Sequence, residues 1–296
     1  MLFWTPRHSV VYCAALVGTS SVWPCAVGVR LACGIVAVGA LLAFAHPAAA
    51  QVIGGLRPTP ISQSALGFLT RFDAHLTAAR ISGDGESQFK WDTDFGVDMD
   101  VFDLDMVRGN VFINVETMVG DERRAIDPNQ SAYTFDLSVF TRLPRGELGT
   151  TFHHISRHLA DRENPGAPSW NMLGLSYGDR VQFGTFEVEV IGRWLGMIES
   201  SEVDYEQEFT GYVRLLRPVS TRISVIGEVD GSVVLVNEAM FGRATQYGGR
   251  IEGGVRINGS AGAAELVIGR ERRIDADVFS RTPIRWTRLA FRFVLD

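Results

Sequence analysis

Downstream of residue 65, apolar and polar side chains alternate with period two, in runs of about ten residues bounded by turn-forming residues. In "AYTFDLSVFTRL", Tyr133, Phe135, Leu137 and Val139 share one side, and Thr134, Asp136 and Ser138 the other. "TFEVEVIGRWLG" sets Phe186, Val188, Val190 and Trp194 against Glu187, Glu189 and Arg193. "RISVIGEVDGSVV" opposes Ile223, Val225, Val229 and Val233 to Ser224, Glu228, Asp230 and Ser232. "QYGGRIEGGVRI" opposes Tyr247, Ile251, Val255 and Ile257 to Arg250, Glu252 and Arg256. The chain closes on "TRLAFRFVLD", with Leu289, Phe291, Phe293 and Leu295 on one side. A period of two is that of an extended strand, whose side chains point alternately to its two faces.

About twelve such runs follow one another, starting near residues 66, 90, 110, 131, 147, 169, 183, 205, 221, 245, 263 and 284. Their connections alternate in length. "VRGN", "LPRGE", "GDR", "RPVS" and "NGSAG" follow the even runs, whereas "GDGESQ", "GDERRAIDPNQ", "LADRENPGAPS", "SSEVDY", "NEAMFGRA" and "DADVFSRTP" follow the odd ones. Short turns at one end and long polar loops at the other belong to a transmembrane barrel. A soluble β-sandwich also alternates, but it has no need of glutamates and arginines along one face of nearly every strand. The expected fold is all-β, an antiparallel transmembrane β-barrel of about 12 strands, with the charged face lining the lumen. Arg71, Asp73, Glu187, Arg193, Glu206, Glu208, Arg214, Glu228, Arg250, Glu252, Arg270 and Arg292 are its expected lumen charges.

Composition adds an address. Residues 1–50 hold no acidic residue, two arginines and all three cysteines, and end on Ala48-Ala49-Ala50 after the apolar run "GIVAVGALLAFA". That reads as a signal peptide over 1–50, cut after Ala50, rather than as a membrane anchor, which Trp23-Pro24 and Arg30 would interrupt. A periplasmic N-terminal segment over 51–65 and the barrel over 66–296 follow. The expected location is the bacterial outer membrane. The residues after 50 lack cysteine, which excludes a disulfide scaffold. The net charge of −6 argues against nucleic acid as a partner. The expected partners are membrane lipid or lipopolysaccharide, with the barrel-assembly machinery during insertion.

Two clusters carry candidate chemistry. Asp92, Asp94, Asp98 and Asp100 share one face of the second run and have the donor type for Ca2+; pairing with lumen arginines is the stronger expectation. The stretch "TFHHISRHLADREN" holds three of the chain's six histidines at the end of the fifth run. Leu148, Thr150, Phe152, His154, Ser156 and His158 share its expected lipid side, and His153, Ile155 and Arg157 the other. A serine nucleophile needs a base within reach, and that base needs an orienting group. Ser156 is the candidate nucleophile, His154 the candidate base, and Asn171 on the next run the candidate orienter, with Asp161 or Glu163 as alternatives. Divalent-metal binding by His154, His158 and Asp161 is disfavoured, because four residues of extended strand span about 13 Å.

His154-Ile155-Ser156 resembles the H-x-S element of two families of outer-membrane lipid hydrolases, the outer-membrane phospholipase A family and the lipid A 3-O-deacylase family. That resemblance implies a serine-type acyl hydrolase on an outward-facing barrel strand, with Asn171 matching the phospholipases' orienting Asn and Glu163 the deacylases' Glu. The chain departs from both in carrying Arg157 where Asn usually follows. The longer string "HHISRHLADR" with "WNMLG" resembles uncharacterised barrel-like proteins of the DUF1207 type, which implies no reaction. The alternative function is a non-enzymatic outer-membrane barrel, structural or a narrow channel.

Overall fold

The computed structural model describes residues 60–84, 88–163 and 166–295; the expected signal peptide and its cleavage point lie outside these. Among the described residues there are twelve strands, β1 (Gly67–Gly83), β2 (Trp91–Asp103), β3 (Val107–Gly120), β4 (Asp127–Arg142), β5 (Glu147–Leu159), β6 (Ser169–Phe183), β7 (Phe186–Ser201), β8 (Tyr205–Pro218), β9 (Ile223–Val236), β10 (Gln246–Asn258), β11 (Ala263–Arg273) and β12 (Ile284–Leu295). Each pairs antiparallel with its neighbours in sequence, and β1 pairs with β12, closing a barrel. Closure leaves no strand edge unpaired, the condition for a sheet to stand in lipid. One four-residue helix, α1 (Glu238–Phe241), lies between β9 and β10, capped by Asn237 and ended by Gly242 at φ 67°.

The two faces differ as the alternation requires. Leu137, Leu173, Leu175, Ile251, Ile268, Leu289 and Phe293 are exposed on the outside. Such an unbroken apolar exterior belongs against acyl chains. Charged residues fill the inside. Arg288 reaches Asp92, Glu252 and Glu271 from β12, Arg273 reaches Asp92, Glu116 and Glu271, and Arg292 reaches Glu228 and Glu252. Burying so many charges is tolerable only because they pair across the lumen.

Strand phase corrects three expectations. Glu206 is exposed, because a bulge between Tyr205 and Gln207 shifts the alternation at the start of β8. Arg270 is exposed, two residues above Ile268 on the outward row of β11, whereas Glu265, Glu271 and Arg273 hold the inward row. Third, "VRGN" is no turn: the chain reverses at 104–106, where Asp105 takes a φ of 70° and donates its N–H to Asp103 Oδ1, and Val107–Asn110 opens β3.

The lumen is capped at both ends. At the short-turn end the Pro60 carbonyl accepts from Arg108 and Ser62 Oγ from Arg142, fastening residues 60–66 across the opening. At the long-loop end the β11–β12 loop folds inward, burying Ile274, Asp275, Ala276 and Val278. The carbonyls of Asp275 and Ala276 accept from Arg157 of β5, at 2.7 and 3.1 Å. β5 lies six strands from β11 round the ring, so this loop spans the mouth. Tyr205 Oη donates to Asp275, and Arg243 bridges Asp275 to Asp204. Beneath it Ile155, Trp170, Met172, Leu195, Val234 and Ile274 form an apolar plug.

Candidate functional site

The histidine stretch forms the long-loop end of β5, and its alternation is strict. His153 and Ile155 are wholly buried, Arg157 nearly so, while Phe152, His154, Ser156 and His158 are half-buried on the outside. The inward set anchors the strand. His153 Nδ1 lies 2.5 Å from Asp136 Oδ1, and Arg193 joins the same carboxylate at 3.3 Å. Arg157 holds the mouth-spanning loop. With Ile155 in the apolar plug, these contacts fix which way His154 and Ser156 face.

Register then sets the neighbours. Across the β5–β6 ladder His154 is opposite Asn171 and Ser156 opposite Ser169; across β4–β5, Phe135 is opposite His154 and Tyr133 opposite Ser156. His154 Nδ1 lies 2.7 Å from Asn171 Oδ1. Asn171 Nδ2 donates in turn to Glu199 of β7, at 3.5 Å. The amide is therefore oriented with its oxygen towards His154. A carbonyl oxygen can only accept, so His154 donates from Nδ1 in this contact. Ser156 Oγ lies 2.8 Å from Nε2 of His158, one step further along the same face, and the His158 ring meets Tyr133 edge-on at 5.9 Å. The hydrogen bond made by Ser156 is thus with His158, and that made by His154 is with Asn171. Neighbours at i and i+2 on a strand are about 6–7 Å apart at Cα, so Ser156 lies between His154 and His158 on this face.

The other sequence candidates lie elsewhere. Asp161 pairs with Arg124 at 2.6 Å above the strand end, and Glu163 is exposed in the loop. The orienting contact to His154 comes from Asn171. Asp92, Asp94, Asp98 and Asp100 all point into the lumen. Asp92 meets Arg273 and Arg288, Asp94 meets His75, Asp98 meets Arg71, and Asp100 meets Arg71 and Arg108. Asp92, Asp98 and Asp100 are thus paired with arginines of the protein itself, and Asp94 with His75. Among the described residues no three His, Cys, Asp or Glu side chains converge as a metal site.

Two residues of the outward cluster had no place in the sequence analysis as site members, Glu199 and Tyr133. Glu199 hides behind a bulge: the β6–β7 ladder pairs Asn171 with Glu199 but Met172 with Met197, so Ile198 is the extra residue. Alternation counted from Trp194 therefore gives Glu199 the wrong face. Tyr133 was legible as an outward residue, but only the register sets it beside Ser156.

The site stands at the border of the apolar belt. Below it lie Phe135, Leu137, Leu173 and Leu175, all exposed, and above it the polar loop begins.

Among solved structures, an outer membrane channel from Pseudomonas putida F1 aligns at 11% identity and a TM-score of 0.51, over 81% of this chain and 99% of that one. The outer membrane phospholipase A of Escherichia coli aligns at 11% identity and a TM-score of 0.49, over 76% and 90% of the two chains. LpxR from Salmonella typhimurium aligns at 10% identity and a TM-score of 0.43, over 75% and 99%. No family model and no curated protein matches the chain. The closed twelve-strand antiparallel ring, charged within and apolar without, has the fold of an outer-membrane β-barrel.

Proposed function

We propose that this chain lies in the bacterial outer membrane and hydrolyses an acyl ester of a phospholipid or of lipid A at the outer leaflet. Ser156 is the nucleophile, His154 the general base, and Asn171 the residue that orients His154. The observation carrying this reading is the 2.7 Å contact between His154 Nδ1 and Asn171 Oδ1 on the lipid-facing side of the barrel, one step from Ser156. It fixes the tautomer that a base needs. Nε2 takes the Ser156 proton as Oγ adds to the ester carbonyl; the imidazolium then returns that proton to the departing alkoxide. A water molecule deprotonated by the same nitrogen attacks the acyl-enzyme, and Ser156 regains its proton as the fatty acid leaves. The outward position delivers the substrate from the bilayer, and the H-x-S resemblance points to the same chemistry.

A second assignment of the base has its own observation, the 2.8 Å contact of Ser156 Oγ with His158 Nε2. Acyl release by the purified protein in mixed micelles separates the two. With His154 as base, His154→Gln lowers the rate by about 10²–10⁴-fold and His158→Gln leaves most of it; with His158 as base the pattern reverses. Ser156→Ala is expected to abolish release in either case. Release by Ser156→Ala equal to that of the unaltered protein, or none from either, overturns the hydrolase and leaves a non-enzymatic barrel. The lumen's ion pairs and the mouth-spanning loop speak against the narrow-channel form of that alternative.

A further inference from the structure

Three outward arginines at the long-loop end of β11 and β12 lack any such role. Arg270 and Arg285 are exposed, and Arg272 is half-buried with its Nη1 atom buried and without a hydrogen-bond partner. Arg272 stands directly opposite Arg285 in the β11–β12 ladder, and Arg270 is opposite Thr287. Opposed residues in such a ladder are about 4.5–5.5 Å apart at Cα, and like charges so placed repel. Among the described residues no carboxylate pairs with any of the three. Other outward arginines are occupied: Arg80 donates to the carbonyls of Ile81 and Lys90, and Arg217 lies over the ring of Phe186. Ile251 stands beside Arg270 in the β10–β11 ladder, and towards the membrane interior Ile268, Leu289 and Phe291 follow, all four exposed.

We propose that Arg270, Arg272 and Arg285 form a binding site for a phosphate group of an acylated lipid in the outer leaflet, with the acyl chains lying on Ile251, Ile268 and Leu289. The occupant is lipid A. A phosphodiester carries one negative charge and leaves three guanidinium groups undercompensated, whereas a phosphomonoester on an acylated sugar carries close to two and offers three acceptor oxygens. Guanidinium and phosphate match as bidentate partners, and one phosphate between Arg272 and Arg285 converts their repulsion into a shared contact. The proposal rests on the outer-membrane placement given above, and not on chemistry at Ser156, which lies on the other side of the ring.

Retention of lipid by the full-length, detergent-folded protein in native mass spectrometry tests it. Bisphosphorylated lipid A, phosphatidylglycerol and phosphatidylcholine are offered separately. One lipid A is expected to stay bound, about tenfold more tightly than to the Arg272→Gln/Arg285→Gln double variant. Ser156→Ala is expected to bind as the unaltered protein does. So is Arg222→Gln, a change of an exposed arginine in the β8–β9 turn. Folding is monitored by thermal unfolding. Without lipid the double variant should melt at or above the unaltered protein, because a repulsion has been removed, and lipid A should raise only the latter's melting temperature. Equal retention of phosphatidylglycerol and lipid A, undiminished binding by the double variant, or a lower lipid-free melting temperature in that variant overturns the proposal.

Discussion

At the scale of single residues, the site is a chain of polar contacts at the edge of an apolar belt. Asn171 touches the imidazole, and Glu199 touches Asn171. In the proposed mechanism both position His154. Asn171→Ala is expected to lower kcat by about tenfold or more with KM little changed, because it frees the ring while leaving the apolar lipid-facing side chains in place. Glu199→Gln should do the same more weakly; kinetics on a short-chain ester in micelles checks both, and a rise confined to KM would contradict the positioning role. Inside the barrel the stakes are those of buried charge. Arg288 serves Asp92, Glu252 and Glu271, so Arg288→Met leaves carboxylates uncompensated and is expected to cost about 3–5 kcal/mol in reversible urea unfolding from vesicles.

At the scale of elements, Arg157 explains the departure at the end of the H-x-S element. The position after Ser156 points inward on β5, and here its side chain holds the β11–β12 loop rather than serving the outward site. Arg157→Asn should therefore leave acyl release largely intact. It should also loosen the loop, at a cost of about 2–4 kcal/mol from two charge-assisted hydrogen bonds. Faster trypsin cleavage after Arg281 in that variant is the expected readout, and unchanged cleavage would show that the loop is held by other contacts. β6 makes a comparable demand. A Cβ at Gly174 would come within 1.8 Å of the Trp194 carbonyl oxygen, a contact with backbone that cannot yield. Gly174→Ala is thus expected to spread β6 from β7 near Asn171 and Glu199, lowering both the folded yield and acyl release.

At the scale of the whole molecule, the described residues close the ring and place contacts across both of its ends. The ring has no open edge, ion pairs cross its interior, residues 60–66 bind one end, and the inward loop spans the other. A cavity of about 530 Å³ remains in the half nearer the short turns, lined by groups such as Arg71, Asp98, Glu189 and Arg214. Liposomes loaded with a small fluorescent dye are expected to stay sealed after the protein is reconstituted into them. Dye loss at the rate given by a porin would show that the lumen opens.

The alternation by itself determined most of this architecture, since a period of two can be satisfied only by strands with one wet and one dry face. Turn residues punctuated the strands closely enough to give their number and the ends at which short and long connections lie. The same arithmetic put His154 and Ser156 on one face and His153 on the other, and set Asn171 within reach of the former. What it could not determine lies wherever the period slips or the chain closes on itself. Bulges reversed the expected face of Glu206 and hid Glu199, because one extra residue exchanges the two sides of a strand. The link between Arg157 and Asp275 joins residues 118 positions apart and exists only because the ring brings opposite strands to one mouth. The contact of Ser156 with His158 rather than His154 was equally beyond the pattern, since alternation gives a side chain its face but only its rotamer and packed neighbours decide what it touches.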